Sequence, residues 1–281
     1  MTGLIETRSS HVCFGGEMSF LTHQSAETKT PMNFSIFTPP QAKDGKVPAL
    51  VYLAGLTCTE ETFMTKAGAQ KLAAELGLAL ICPDTSPRGA EIEGEDASWD
   101  FGSAAGFYLD ATAGPWSTNY RMYSYITKEL LVLLTEHYPA IDMDRLGLFG
   151  HSMGGHGALT IHLKNPDLFK TVSAFAPITS PMRCPWGKKA FLNYLGPDQE
   201  AWKQYDASEL VQTRGSGPTI LIDQGLADSF LEQELHPHHF EAACAAAGRT
   251  VTVRRHEGYD HGYYFIASFV DDHLRHHASG L

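Results

Sequence analysis

Leu146-Gly147-Leu148-Phe149-Gly150-His151-Ser152-Met153-Gly154-Gly155 is the stretch on which the fold turns. An apolar run from Leu146 to Phe149 passes through Gly150-His151-Ser152-Met153-Gly154 into a helix-patterned segment, Gly155 to Lys164. Alone, G-x-S-x-G is a weak signal, and a Ser-Gly loop that merely turns the chain would satisfy it. Between a strand and a helix it says more, because a serine there sits exposed on a sharp turn at the sheet's end. Glycines on both sides permit the close packing that side chains would block. Ser152 is therefore read as a nucleophile.

Short apolar runs recur on both sides of this stretch: Ala49 to Leu53, Leu78 to Cys82, Val172 to Phe175, Ile220 to Ile222 and Val251 to Val253. Each is bounded by Gly or Pro and apolar throughout, as strands covered on both faces are. Helix-patterned segments alternate with them: Ala67 to Glu75, Ser124 to His137, Glu232 to Ala247 and Tyr263 to His276. Such alternation implies a mostly parallel sheet. His11 to His23 and Asn33 to Thr38, split by a polar stretch, read as an antiparallel pair at its edge. The sum is about eight strands, which predicts an α/β-hydrolase fold, a mostly parallel eight-stranded sheet with helices on both faces. A chain of 281 residues fits one such domain, 1–281. Two long irregular stretches, at about 85–119 and 178–217, carry many aromatics and are read as active-site loops or cap segments.

A serine hydroxyl needs a base and a group to hold that base. In this fold the acid follows a late strand and the histidine follows the last one. Asp228 lies after Ile220 to Ile222, and His261 lies after Val251 to Val253 in Gly258-Tyr259-Asp260-His261-Gly262. Asp223 and Asp260 compete with Asp228 for the acid's place; Asp223 stands at the strand end, and Asp260 adjoins His261 too closely to reach its Nδ1. Of the 14 histidines, His151 and His156 flank the serine and are read as loop supports. His236, His238, His239, His273, His276 and His277 are read as solvated surface, and no metal site is expected.

An oxyanion needs two backbone donors, one from the residue after the serine, Met153, and one from the loop after Ala49 to Leu53. Leu56 is the choice there, although an ordinary strand-to-helix connection explains Gly55 and its threonines equally well.

The net charge of −11 disfavours nucleic acid and anionic membranes. The N-terminus lacks an export pattern, no apolar run is long enough to span a bilayer, and five cysteines without C-x-x-C spacing suit a reducing cytoplasm.

Leu56-Thr57-Cys58-Thr59-Glu60 after Gly55, Trp99-Asp100-Phe101-Gly102, Ala105-Gly106-Phe107-Tyr108, Gly150 through Ala158, Asp223-Gln224-Gly225, and Gly258-Tyr259-Asp260-His261 with Tyr263-Tyr264-Phe265 together resemble the S-formylglutathione hydrolase (esterase D) family. The resemblance runs nearly end to end. It implies a cytoplasmic homodimer without cofactor that cleaves a glutathione thioester to formate and glutathione in formaldehyde detoxification. It places nucleophile, acid and base on Ser152, Asp228 and His261, and the oxyanion amides on Leu56 and Met153. Cys58, Trp99 and Trp186 are the pocket candidates, with Cys58 placed where a bulky thiol reagent would block the site. Ala54 stands where the family often has Ser, and Leu226-Ala227 where charged residues often precede the acid. Arg183, Lys188 and Lys189 are candidates for the glutathione carboxylates. A general short-chain carboxylesterase uses the same triad, and a non-catalytic binding protein could keep the fold without the chemistry.

Overall fold

The computed structural model describes residues 4–214 and 216–281; the start of the chain and position 215, inside the second long loop, lie outside the described residues. Nine strands form one sheet in the order β1-β2-β3-β5-β4-β6-β7-β8-β9. They are β1 Glu6–Cys13, β2 Gly16–Gln24, β3 Pro31–Thr38, β4 Val47–Leu53, β5 Ala79–Pro83, β6 Ile141–His151, β7 Thr171–Phe175, β8 Ile220–Gly225 and β9 Val251–His256. From β5 through β9 all neighbours are parallel, and β1, β2 and β3 form an antiparallel edge. The α/β-hydrolase expectation holds, with one strand more than the eight expected.

The extra strand comes from His11 to His23, which is not one strand but parts of two. Phe14 and Gly15 both take positive φ, 47° and 77°, the two-residue turn whose twist suits a hairpin. A Cβ on Gly16 would overlap the Thr38 carbonyl oxygen of β3, so this hairpin needs its second glycine as well.

Side chains of β7 alternate between two helical layers, as a strand's period of two requires. A Cβ on Gly155, in the helix Met153–Lys164, would crowd Pro177 just past β7 and touch Ala174. On the other face Ser173 Oγ lies 2.8 Å from His273 Nδ1 and 2.9 Å from His277 Nε2, both on the C-terminal helix Tyr263–Ala278. These two histidines are fully buried and His276 is half-buried with its Nε2 on the Val172 carbonyl (3.2 Å), which corrects the reading of the group as solvated surface. They are core residues because β7 offers them hydroxyls and a carbonyl, so their polarity is satisfied inside.

The two long loops fold against each other over the carboxyl edge of the sheet. Tyr194 of the second stacks on Phe101 of the first (4.6 Å between centroids) and on Tyr120 just beyond it (5.2 Å). Its hydroxyl donates to the Ala105 carbonyl and accepts the Gly102 N–H, each at 3.0 Å. Lys189 is ion-paired with Asp100 at 2.5 Å across the same seam.

Buried imidazoles make the fold sensitive to acid. Burial pushes His156 and His162 down to about 4, with Arg249 adding to the effect at His162, and burial holds His151 and His277 well below the usual histidine value. The unfolded chain protonates these rings below about pH 6.5 and the folded chain does not, so their stability is complete above that pH and is lost as pH falls toward 4. For His156 and His162 the loss is about 2 kcal/mol each by pH 5. Asp206, pushed up to about 6 by burial, works in the opposite direction. We expect the melting temperature to fall between pH 7 and pH 5, and the His156→Gln variant to show a smaller fall; a flat profile in the wild type contradicts this.

Candidate active site

Strand register brings the ends of the parallel strands to one edge: Leu53 opposite Gly150, His151 opposite Phe175, Phe175 opposite Asp223 and Gly225 opposite His256. Ser152 follows β6 at that edge with φ 58° and ψ −118°, a conformation that costs a non-glycine residue on the order of 1–3 kcal/mol. Three backbone bonds hold it there. Its N–H donates to the Phe175 carbonyl (3.0 Å), and its carbonyl accepts from His156 (3.0 Å) and Ile178 (3.2 Å). A Cβ on Gly154 would overlap the Leu53 carbonyl oxygen, and one on Gly150 the Gly154 carbonyl oxygen. The glycines of the motif are thus required by close backbone contact with β4.

The loops after β8 and β9 are stitched together by Leu226 N–H to His256 O and Ala227 N–H to Tyr259 O, both 2.9 Å. This sets Asp228 Oδ2 2.5 Å from His261 Nδ1. The Asp228 side chain is fully buried and also accepts from Phe230 N–H (2.9 Å) and Gln224 Nε2 (3.3 Å), so the carboxylate is surrounded by donors. A carboxylate at Nδ1 makes that nitrogen the donor and leaves Nε2 to accept a proton.

The two rival acids are placed elsewhere. Asp223 receives both Arg254 Nε (2.6 Å) and an Arg254 terminal nitrogen (2.5 Å); burial works to raise its pKa, but bonds from His273 and Arg254 hold it well below the carboxylate range. Asp260 is exposed and accepts the Gly262 N–H at 2.9 Å. His156 donates to the Phe107 carbonyl (3.0 Å), the loop support expected of it. His151 is buried with its ring 4.4 Å from that of His261, and burial, then the His261 ring, keeps it neutral.

Ser152, 3% exposed, and His261 line one cavity of about 290 Å³ with Leu56, Cys58, Trp99 and Trp186. All three expected pocket residues are therefore present. Phe230 also lines this cavity and is not singled out by the sequence. Phe230 completes an aromatic wall: Trp99 meets Trp186 edge-on at 5.6 Å, Trp186 meets Phe230 at 4.8 Å, and Phe230 meets His261 edge-on at 5.1 Å. Tyr263 packs near His151 (6.2 Å) with its hydroxyl 3.5 Å from that of Tyr52. A larger cavity, about 430 Å³ near Gly15 and Tyr138, is lined by no serine, cysteine or histidine, so chemistry rather than size selects the site.

In the loop after β4, Thr57 N–H is taken by Ala104 O (3.1 Å), Cys58 N–H by Gly55 O (3.3 Å) and Thr59 N–H by Thr62 Oγ1 (3.0 Å). The N–H groups of Leu56 and Met153 are committed to no such bond among the described residues. Thr57 itself takes φ 68°, which turns the loop over the cavity. Of the three cations considered for the glutathione carboxylates, Lys189 is spent on Asp100, Lys188 is exposed, and Arg183 is exposed on the side of His236 and His239.

The esterase family, described as "Putative esterase", matches residues 25–276. An S-formylglutathione hydrolase of Rattus norvegicus is 57% identical over 276 residues, 97% of each chain. One of Arabidopsis thaliana is 50% identical over 100% of this chain and 99% of its own. The solved S-formylglutathione hydrolase of Agrobacterium tumefaciens superposes with a TM-score of 0.96 at 49% identity, covering 98% of this chain and 99% of that one. With matches of this extent, the chain belongs to the esterase family, and within it to the S-formylglutathione hydrolases.

Proposed function

We propose that the chain hydrolyses S-formylglutathione to formate and glutathione, with Ser152 as nucleophile, His261 as general base and Asp228 as the acid that orients it. The observation that carries this reading is the 2.5 Å Asp228–His261 pair opening onto the cavity that holds Ser152. Ser152 Oγ attacks the formyl carbon as His261 Nε2 takes its proton, and the carbonyl electron pair moves onto oxygen. That oxyanion faces the Leu56 and Met153 amides, each such donor being worth about 2.7–4 kcal/mol. Collapse breaks the C–S bond, and the glutathione sulfur leaves with the proton from His261. Water then attacks the formyl ester and gives a proton to His261; formic acid departs as that proton returns to Ser152, and ionises to formate in solution. A thiol of pKa ~8.5 is a good leaving group, which suits a thioester to this site.

The aromatic wall leaves room for a small acyl group beside Ser152 and turns the rest of the substrate outward past Trp99, itself 56% exposed. On the side of Tyr263 lies a further cavity of about 540 Å³, lined by Lys66, Asp260 and Tyr264, one cation and one anion for the zwitterionic γ-glutamyl end. A cytoplasmic homodimer serving formaldehyde detoxification is the setting this reading carries. No helix among the described residues is long and apolar enough to cross a membrane.

Two measurements test the proposal. The kcat/KM for S-formylglutathione, followed by loss of thioester absorbance, is expected to exceed that for a simple acetate ester by orders of magnitude; a ratio near one identifies a general short-chain carboxylesterase instead. Asp228→Asn keeps the shape of the side chain but favours the wrong imidazole tautomer, so kcat is expected to fall by about 10⁴ while the melting temperature changes little. A kcat within tenfold of wild type removes Asp228 from the triad.

A further inference from the structure

His236, His238 and His239 lie on the outer side of the turn that follows the site, at the start of the helix Pro237–Ala247. One nitrogen from each of the three rings falls within 4.8 Å of the others, and His236 and His239 are half-buried while His238 is exposed. We propose that these imidazoles form a binding site for a late first-row divalent cation such as Zn²⁺, Ni²⁺ or Cu²⁺, separate from the catalytic centre.

The backbone sets this arrangement. His236 adopts the left-handed conformation, φ 50° and ψ 46°, unusual for a residue with a Cβ, and the chain beneath it is pinned. Thr179 Oγ1 lies 2.8 Å from the His236 carbonyl oxygen and 2.9 Å from that of Leu235, its single hydrogen shared between them. His239 N–H closes back on the His236 carbonyl at 3.0 Å, and Pro237 at the first helical position fixes the entry. This turn directs the His236 ring onto the first helical turn, 5.8 Å from His238 and 5.4 Å from His239 between centroids, with His238 and His239 4.2 Å apart.

The ligand chemistry selects the ion. Imidazole nitrogens favour zinc, nickel and copper over calcium and magnesium, which prefer oxygen. Metal–nitrogen bonds of about 2.0–2.1 Å require the three nitrogens to draw together somewhat, and rotation of the exposed His238 ring provides that movement. Its exposure also leaves outward coordination positions to water. Arg183 and the positive end of the helix dipole oppose a cation here, and Glu232, within electrostatic reach of His236, partly offsets them.

The test uses the untagged full-length chain with NiCl₂ and ZnCl₂ in titration calorimetry, and CuCl₂ in electron paramagnetic resonance. Expected are one bound ion per chain, nitrogen couplings in the copper spectrum, and no comparable response to MgCl₂. His238→Gln and His239→Gln are each expected to weaken binding by more than about tenfold and to remove the nitrogen couplings. Absence of binding at micromolar metal overturns the proposal. So does binding that either substitution weakens by less than tenfold, which places the ion elsewhere, for example at the Cys58 thiol.

Discussion

The contact on which the rest of the site depends is that between Gly154 and the Leu53 carbonyl at the end of β4. It lets the first turn of the helix Met153–Lys164 rest directly on the neighbouring strand, which forces the chain between them into the positive-φ turn at Ser152. Burial around that turn over-determines it, and a strained residue persists only under that condition. The same contact sets where the Met153 amide begins its helix and where the β4 loop carrying Leu56 must pass. One backbone approach thereby fixes Ser152, the proposed nucleophile, together with the Leu56 and Met153 amides proposed for the oxyanion.

Asp228 and His261 are positioned by a different principle. Each lies past the end of a parallel strand, and β8 and β9 are paired residue by residue up to Gly225 and His256. Carbonyls of one loop accept amides of the other, so the acid and the imidazole share a frame rather than approaching from independent loops. Asp223, only five positions before Asp228 in the chain, is turned toward Arg254 and the buried His273 on the helical face. It braces the last strands against the C-terminal helix. Two nearby carboxylates thereby hold different positions, one at the site and one in the scaffold.

Much of this was legible in the sequence because the constraints are local. The apolar run before Gly150, the glycines around Ser152 and the glycine-bounded positions of Asp228 and His261 are each short-range consequences of strand-to-loop geometry. The missed features depend on contacts distant in sequence. The first hairpin was hidden because Phe14-Gly15 interrupts a stretch whose alternation otherwise continues. His273 and His277 looked like surface because only the hydroxyls of β7, about a hundred residues earlier, make their burial tolerable. Phe230 joins the pocket wall only once the two long loops have docked and brought Trp99 and Trp186 to it. The histidines around Pro237 read as solvent-facing in the sequence, which holds for His238 but not for the half-buried His236 and His239, because composition shows neither the left-handed turn at His236 nor Thr179 beneath it.

In the proposed mechanism the strained turn makes the Ser152 hydroxyl the reacting group. This is tested most directly by treating the chain with a fluorophosphonate serine probe and mapping the adduct by peptide mass spectrometry. One adduct is expected, on Ser152, suppressed by S-formylglutathione and absent in Ser152→Ala. An adduct on another serine, or equal labelling of Ser152→Ala, contradicts it.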